Sequence, residues 1–301
     1  MKKVRVKIPA STTNLGPGFD CLGLALKLYN IIEIEEIRKD KVGIEIEGEG
    51  KNDIPQNEKN IIFPAIKRVF DKAGKKISRI KIRQINNIPP GKGLGSSAAT
   101  RIGGIVCASN FLGMNLSREE ILKLAASLEG HPDNAAASLL GGLVIVIPQK
   151  ENFRWIKIDL PPELKVIIAL PEIRIPTQKA REILPQNFSL EDIVFNLSRM
   201  GTLIYSLVKG EWEYLMLATE DKLHQKYRET LLPGMREAIE SALKSGAKGA
   251  FLSGAGSGIV ALAENKEEKI GKSMQKAFLK RGITSKIMTL RIDREGLKIL
   301  K

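Results

Sequence analysis

The stretch Asn86-Asn87-Ile88-Pro89-Pro90-Gly91-Lys92-Gly93-Leu94-Gly95-Ser96-Ser97-Ala98-Ala99-Thr100-Arg101-Ile102-Gly103-Gly104 decides how the rest of the chain is read. Before it, Ile80-Lys81-Ile82-Arg83-Gln84-Ile85 alternates apolar and polar residues, the period of a half-buried strand. After it, residues 97–112 are rich in Ala, Ile and Val and hold no proline, which predicts a buried helix. Between the two, Gly91, Gly93 and Gly95 remove side chains, so backbone N–H groups can close on something bulky. Ser96 is the expected N-cap, and the helix behind it presents free N–H groups and a partial positive charge. A glycine-rich turn opening onto a helix N-terminus is a site for phosphate. No Gly-Lys-Ser/Thr ends the loop, so it is not a Walker A motif, and its glycines miss the dinucleotide-binding spacing.

The 301 residues suffice for two domains, or one large one, and for a core without staples. Hydrophobic residues make up 43% and charged residues 27%, the balance of a soluble globular protein. No apolar run reaches the length of a membrane span. The N-terminal residues alternate like a strand and hold no signal-peptide apolar block, and Cys21 and Cys107 suggest no disulfide framework; the expected compartment is the cytoplasm. A formal charge of +14 raises nucleic acid or an anionic membrane as partners. Aromatic residues are only 5%, however, and the lysines are spread among glutamates with no basic stripe, so neither partner is expected. The same field would steer an anionic substrate. His131 and His224 lack zinc-ligand spacing, and no hydrolase nucleophile elbow is present.

Residues 4–8 read as a strand, followed by a loop of small and polar residues over 9–20. Further strands are expected at 22–26, 29–37 and 42–46, then a turn-rich loop over 48–60. A helix over 61–73 carries Phe63, Ile66, Val69 and Phe70 on its apolar face, and Gly74 stops it. Ser117-Arg118-Glu119-Glu120 is a capping box that starts a helix through Leu128. Residues 143–147 read as a strand, and the polar connector at 148–152 divides the chain into domains 1–150 and 151–301. The second half has strands at 164–170, 249–252, 259–262 and 285–292, with helices at 177–183, 190–207, 212–223, 233–245 and 265–279. Strands and helices mix without a strict βαβ repeat, which argues an α+β fold.

Pro89 to Ala99 resembles the ATP-phosphate loop of the galactokinase, homoserine kinase, mevalonate kinase and phosphomevalonate kinase superfamily. Two more landmarks of that superfamily have counterparts in order, Pro9 to Asp20 and Ser253-Gly254-Ala255-Gly256-Ser257-Gly258. The wording of Pro9-Ala10-Ser11-Thr12-Thr13-Asn14-Leu15-Gly16-Pro17-Gly18-Phe19-Asp20 looks like the homoserine kinase branch. So do Gly130-His131-Pro132-Asp133-Asn134, Pro176-Thr177-Gln178-Lys179-Ala180-Arg181 and His224-Gln225-Lys226-Tyr227-Arg228. The resemblance implies a two-domain α+β fold, with an N-terminal domain of ribosomal-protein-S5-domain-2 type and a ferredoxin-like C-terminal domain. It implies an ATP- and Mg²⁺-dependent enzyme that phosphorylates the side-chain hydroxyl of L-homoserine to O-phospho-L-homoserine for threonine synthesis, and it hints at a homodimer.

The same resemblance assigns residues. ATP falls to Pro89, Pro90, Gly91, Lys92, Gly93, Leu94, Gly95, Ser96, Ser97 and Ala98, with Asn60 near the adenine. Mg²⁺ falls to Ser97 and Glu129. The substrate ammonium falls to Asn14 and Asp20 with Asp133 nearby, and the carboxylate to the guanidinium forks of Arg181 and Arg228; Thr177 and His131 are further substrate-binding residues, His131 either touching substrate or orienting its neighbours. Asn134 falls at the substrate hydroxyl; Asn134, Asp133, Ser97 and Glu129 are the catalytic set. An amide takes no proton at neutral pH, so attack would proceed without a protein base. Asp133 is the alternative base, although an ammonium contact would lower its pKa. Read on their own, Asn14 and Asp20 also suit turns, Asn60 a helix cap, Glu129 a helix end, and the two arginines a solvated face. A mevalonate-type kinase and a nucleic-acid binder are the competing functions.

Overall fold

The alternating N-terminus builds two long antiparallel strands, β1 (Lys3–Asn14) and β2 (Gly18–Glu36). The structure is a computed structural model and describes residues 2–150, 152–161 and 164–300. β3 (Val42–Gly48) pairs parallel with β4 (Ile80–Asn86), and β4 lies antiparallel to the far half of β2. β5 (Leu143–Pro148) pairs with the near half of β2, and β6 (Phe153–Ile158) lies outside β5.

Four helices build on this sheet: α1 (Ile62–Lys72), α2 (Ser96–Leu112), α3 (Arg118–Glu129) and α4 (Asp133–Leu140). α2 and α4 pack on β1 and β2, and α1 and α3 pack on α2. The glycine pair inside α2 permits that approach: a Cβ on Gly103 would come within 2.6 Å of Ile8 and 2.7 Å of Ile32. α3 starts at the expected capping box, where Ser117 Oγ accepts from Glu120 N at 3.2 Å and the Glu120 carboxylate accepts from Ser117 N at 2.9 Å.

The second sheet holds β7 (Lys165–Pro171), β8 (Gly249–Leu252), β9 (Ile259–Ala263) and β10 (Ser285–Arg291) in the order β10-β7-β9-β8, all neighbours antiparallel. Counted from β7 this is the 4-1-3-2 order of a ferredoxin-like domain. α9 (Met235–Lys244) and α10 (Glu267–Leu279) pack on it. The connection from β7 carries α5 (Thr177–Glu182), α6 (Leu190–Lys209), α7 (Leu215–Ala218) and α8 (Gln225–Arg228). One apolar cluster joins the two halves, running from Leu22 and Leu143 to Leu164, Leu203, Leu215 and Phe251.

The structure corrects three readings. Residues 9–20 are mostly strand, because Ser11, Thr12 and Thr13 are buried and their hydroxyls find partners on other elements. The helix expected over 212–223 is broken. The Asp221 carboxylate accepts from the N–H groups of Leu223, His224 and Gln225 at 3.0, 2.8 and 2.6 Å, which turns the chain and starts α8. Where a polar connector is expected over 148–152, β5 and β6 pair as a hairpin, and Gln149 N donates to Asn152 O at 2.8 Å; residue 151 lies outside the described residues. The first sheet therefore extends past residue 150, and it takes back the last strand, β11 (Lys298–Leu300), beside β1. A hairpin tip and a linker have the same polar composition.

Candidate active site

A cleft of ≈ 520 Å³ opens between the two halves. The phosphate-loop candidate forms its floor, with Gly91, Gly93 and Gly95 at φ of 69°, 71° and 67°. Gly95 caps α2 and provides no side-chain bond; Ser96, the expected cap, is the first helical residue. A cap without a side chain leaves the first-turn N–H groups of α2 to a ligand. The second half braces this loop. Ser253 Oγ donates to Gly93 O at 2.7 Å and Gly258 N donates to Lys92 O at 3.1 Å. A Cβ on Gly93 would overlap the carbonyl oxygen of Ser253.

Pro90, Gly91, Gly93, Leu94, Gly95, Ser96, Ser97 and Ala98 line the cleft; Pro89 and Lys92 stand outside it. Lys92 Nζ instead donates to the carbonyls of Pro171 and Ile173 at 2.6 and 2.8 Å, and burial lowers its pKa. Those two carbonyls, at the end of β7, draw the ammonium into the junction of the halves. Asn60 is also off the cleft wall. Its Oδ1 accepts from Ile62 N at 2.9 Å and its Nδ2 donates to Pro55 O at 2.8 Å, so it starts α1 and holds Pro55. Pro55, Ile54 and Ile61 make an apolar wall beside the loop, and buried Gln84 lines the same cleft with its Nε2 unpartnered among the described residues.

Ser97 and Glu129 come together across α2 and α3. Arg101 Nη1 donates to Ser97 Oγ at 2.5 Å and also pairs with Glu129 Oε1. Two oxygens within reach of one atom, one of them a carboxylate, fit a small hard cation such as Mg²⁺, which takes one or two protein oxygens and completes its shell with water and phosphate.

The other end of the cleft is built for charge of both signs. Asn14 Oδ1 accepts from Asp20 N at 3.1 Å and Asn14 Nδ2 donates to Gly254 O at 3.1 Å, fixing the turn that presents Asp20. Arg181 reaches Asp20 through both terminal nitrogens, at 2.9 and 2.7 Å, and this bond raises its pKa. Arg228 is buried. Its Nε donates to Ala180 O at 3.0 Å, and its Nη1 to Gly254 O at 2.9 Å and to His224 Nδ1 at 3.3 Å. Burial pulls its pKa down to about 10. His224 Nε2 donates to Gly16 O at 2.8 Å, so the neutral ring fits between the two, and burial lowers its pKa.

Phe19 ties these groups together, with its ring centroid 5.6 Å from Arg181 Cζ, 5.2 Å from Arg228 Cζ and 5.3 Å from the His224 ring. Stacking of this kind fixes a guanidinium plane. Sequence reading did not single out Phe19 or Arg101; the signal for Phe19 was an aromatic residue in a run of small polar ones.

Asp133, buried in the first turn of α4, accepts at Oδ1 from Asn134 N at 2.8 Å and lies 3.1 Å from His131 Nδ1. That contact raises the pKa of His131. Asn134 Oδ1 accepts from Ser11 Oγ at 2.9 Å, and its Nδ2 lies 3.4 Å from Thr13 Oγ1. Asn14, Asp20, His131, Asp133, Asn134, Thr177, Arg181 and Arg228 all line the one cleft.

Residues 60–142 match the GHMP kinases N terminal domain, and residues 203–280 match the GHMP kinases C terminal domain. The homoserine kinase of Petrotoga mobilis is 42% identical over 299 residues, covering 99% of this chain and 96% of that protein. That of Desulfitobacterium hafniense is 38% identical over 298 residues, covering 99% of this chain and 100% of that protein. The crystal structure of homoserine kinase from Cytophaga hutchinsonii superimposes with a TM-score of 0.89 at 29% identity, covering 100% of this chain and 98% of that one. The fold is also that of L. major mevalonate kinase in complex with R-mevalonate, at a TM-score of 0.74 and 17% identity over 96% of each chain. With an uncapped helix N-terminus and a two-sign cleft on this two-domain frame, the chain belongs to the homoserine kinases of the GHMP kinase family.

Proposed function

We propose that this chain transfers the γ-phosphoryl group of ATP to the side-chain hydroxyl of L-homoserine, forming O-phospho-L-homoserine and ADP for threonine synthesis in the cytoplasm. One observation carries the reading: a single cleft holds the uncapped N-terminus of α2 at one end and a carboxylate with two guanidinium groups at the other. The first suits a polyphosphate, the second an amino-acid zwitterion.

In this reading the amides from Gly91 to Ala98 take the phosphates, and Ile54, Pro55 and Ile61 take the adenine face. Asn60 acts through Pro55, and Lys92 acts by clamping the loop to the second half. Asp20 takes the substrate ammonium, with Asn14 presenting it. Arg181 and Arg228 take the carboxylate beside Thr177. Ser97 and Glu129 would hold Mg²⁺, whose chemistry is to neutralise phosphate charge.

Phosphoryl transfer passes through a loose transition state, so positioning outweighs base strength. The hydroxyl oxygen attacks Pγ in line, the new O–P bond forms as the bond to ADP breaks, and the hydroxyl proton leaves to phosphate or solvent. Asn134 holds that hydroxyl and takes no proton. Asp133 Oδ1 already accepts from Asn134 N at 2.8 Å and lies 3.1 Å from His131 Nδ1, so that oxygen is engaged before any substrate enters. A homodimer is part of the proposal: Leu190, Val194 and Leu197 expose apolar side chains on α6, a surface a second copy would cover, and sedimentation of Leu197→Glu tests it.

A coupled ADP-release assay across L-homoserine, mevalonate, L-serine and L-threonine tests the activity. L-homoserine is expected to give the highest kcat/KM. Turnover of mevalonate without turnover of homoserine would overturn it.

A further inference from the structure

We propose that Arg101 is a built-in counter-ion: its guanidinium occupies the cation position between Ser97 and Glu129, and an entering divalent ion displaces it. The inference rests on the reading of Ser97 and Glu129 as metal ligands and adds a residue that this reading does not use.

Ser97 and Arg101 lie four residues apart on α2 and therefore share a face, while Glu129 is the last residue of α3. The three meet at one atom, since Arg101 Nη1 bonds both Ser97 Oγ and Glu129 Oε1. The pair is mostly out of solvent, with side-chain exposures of 17% for Arg101 and 8% for Glu129.

Arg101 is held differently from the arginines that grip a carboxylate through two nitrogens. Arg181 takes Asp20 through two nitrogens, and Arg83 takes Glu47 through two. Such forks give strength and fix geometry. Arg101 holds both its partners through one terminal nitrogen, and among the described residues its buried Nε has no partner. A guanidinium held as a point charge does the work of a monovalent ion. It neutralises Glu129, keeps Ser97 Oγ turned toward the carboxylate, and yields to a charge of two. An unpaired carboxylate at this depth would be costly without it. The site is thereby preset for metal, and weak binding of metal in the absence of nucleotide is the consequence.

The test is a Mn²⁺ titration of the full chain without nucleotide or substrate, following free Mn²⁺ by electron paramagnetic resonance and the melting temperature in parallel. Arg101→Met is expected to bind Mn²⁺ about tenfold more tightly than the unaltered chain, the scale of freeing one partly buried charge. It is also expected to melt lower without metal and to regain more on adding it. Glu129→Gln in the Arg101→Met background is expected to abolish the gain. Should Arg101→Met fail to fold, Arg101→Gln retains hydrogen bonding without charge and carries the same expectation. Equal affinity in the unaltered chain and the variant, including no detectable binding in either, would overturn the inference, as would weaker binding in the variant. The titration needs no homoserine, so its failure is distinct from failure of the proposed activity, which is read as ADP release by the unaltered chain.

Discussion

Arg181 on α5 grips Asp20 on β2 through two parallel bonds of 2.9 and 2.7 Å, and so joins the residues proposed for the two ends of the substrate's charge. The pair preorganises both. Each side chain is more than a third exposed, at 38% and 34%, so solvent screening keeps the bond to about 1 kcal/mol or less. Splitting it to admit a zwitterion then costs less than roughly tenfold in affinity.

Removing either half is expected to act on the amino-acid substrate alone. Asp20→Asn and Arg181→Gln should each raise KM for homoserine roughly 10- to 100-fold, the loss of one charge-assisted contact of about 1.5–3 kcal/mol. KM for ATP should change less than about threefold. Steady-state kinetics with each substrate varied checks this, and equal rises in both constants would contradict the assignment.

Asn134→Ala is expected to lower kcat by roughly 10²–10³, by analogy with the loss of one positioning donor. The pH dependence of kcat is the sharper measurement. With no protein base, the unaltered chain shows no steep acidic limb; a limb that only Asp133→Asn removes would assign Asp133 as base.

The loop glycines should separate strain from contact. Gly95 and Gly74 have φ of 67° and 65°, but a Cβ on Gly95 would overlap Ser11 Oγ, whereas one on Gly74 meets nothing within 4 Å. Gly74→Ala is expected to cost about 1 kcal/mol of stability from backbone strain alone. Gly95→Ala should cost about 2–4 kcal/mol and weaken binding of a non-hydrolysable ATP analogue. Urea unfolding and calorimetric titration measure the two effects.

The two histidines set opposite slopes on stability against pH. The hydrogen bond to Asp133 raises the pKa of His131 above its ordinary 6.5, so its contribution is complete below 6.5 and lost as pH rises through the raised value. Burial lowers the pKa of His224 below 6.5, so its contribution is complete above 6.5 and lost as pH falls toward the lowered value. His131→Asn is expected to flatten the alkaline side of the stability curve, and His224→Gln the acid side. Urea unfolding from pH 5 to 9 reads both.

The sequence by itself determined the elements whose causes are local. The strand at β4, the helix α2, the phosphate loop between them and the capping box at Ser117 each depend on residues within a few positions of one another. The landmark motifs also named many of the residues that line the cleft, among them Asn14, Asp20, Asn134, Arg181 and Arg228, since each motif is a short run with its own turn chemistry.

Only the tertiary structure decided what depends on where the chain returns. Asp20 and Arg181 lie 161 positions apart, and Lys92 finds its carbonyl partners 79 and 81 positions on. Asn60 became a support for Pro55, Arg101 the cation between Ser97 and Glu129, and the expected connector after Pro148 a β5–β6 hairpin. A side chain's role follows from the groups that desolvate and bond it. For these residues such groups come from other elements, and only the packing of two sheets on one core brings them together.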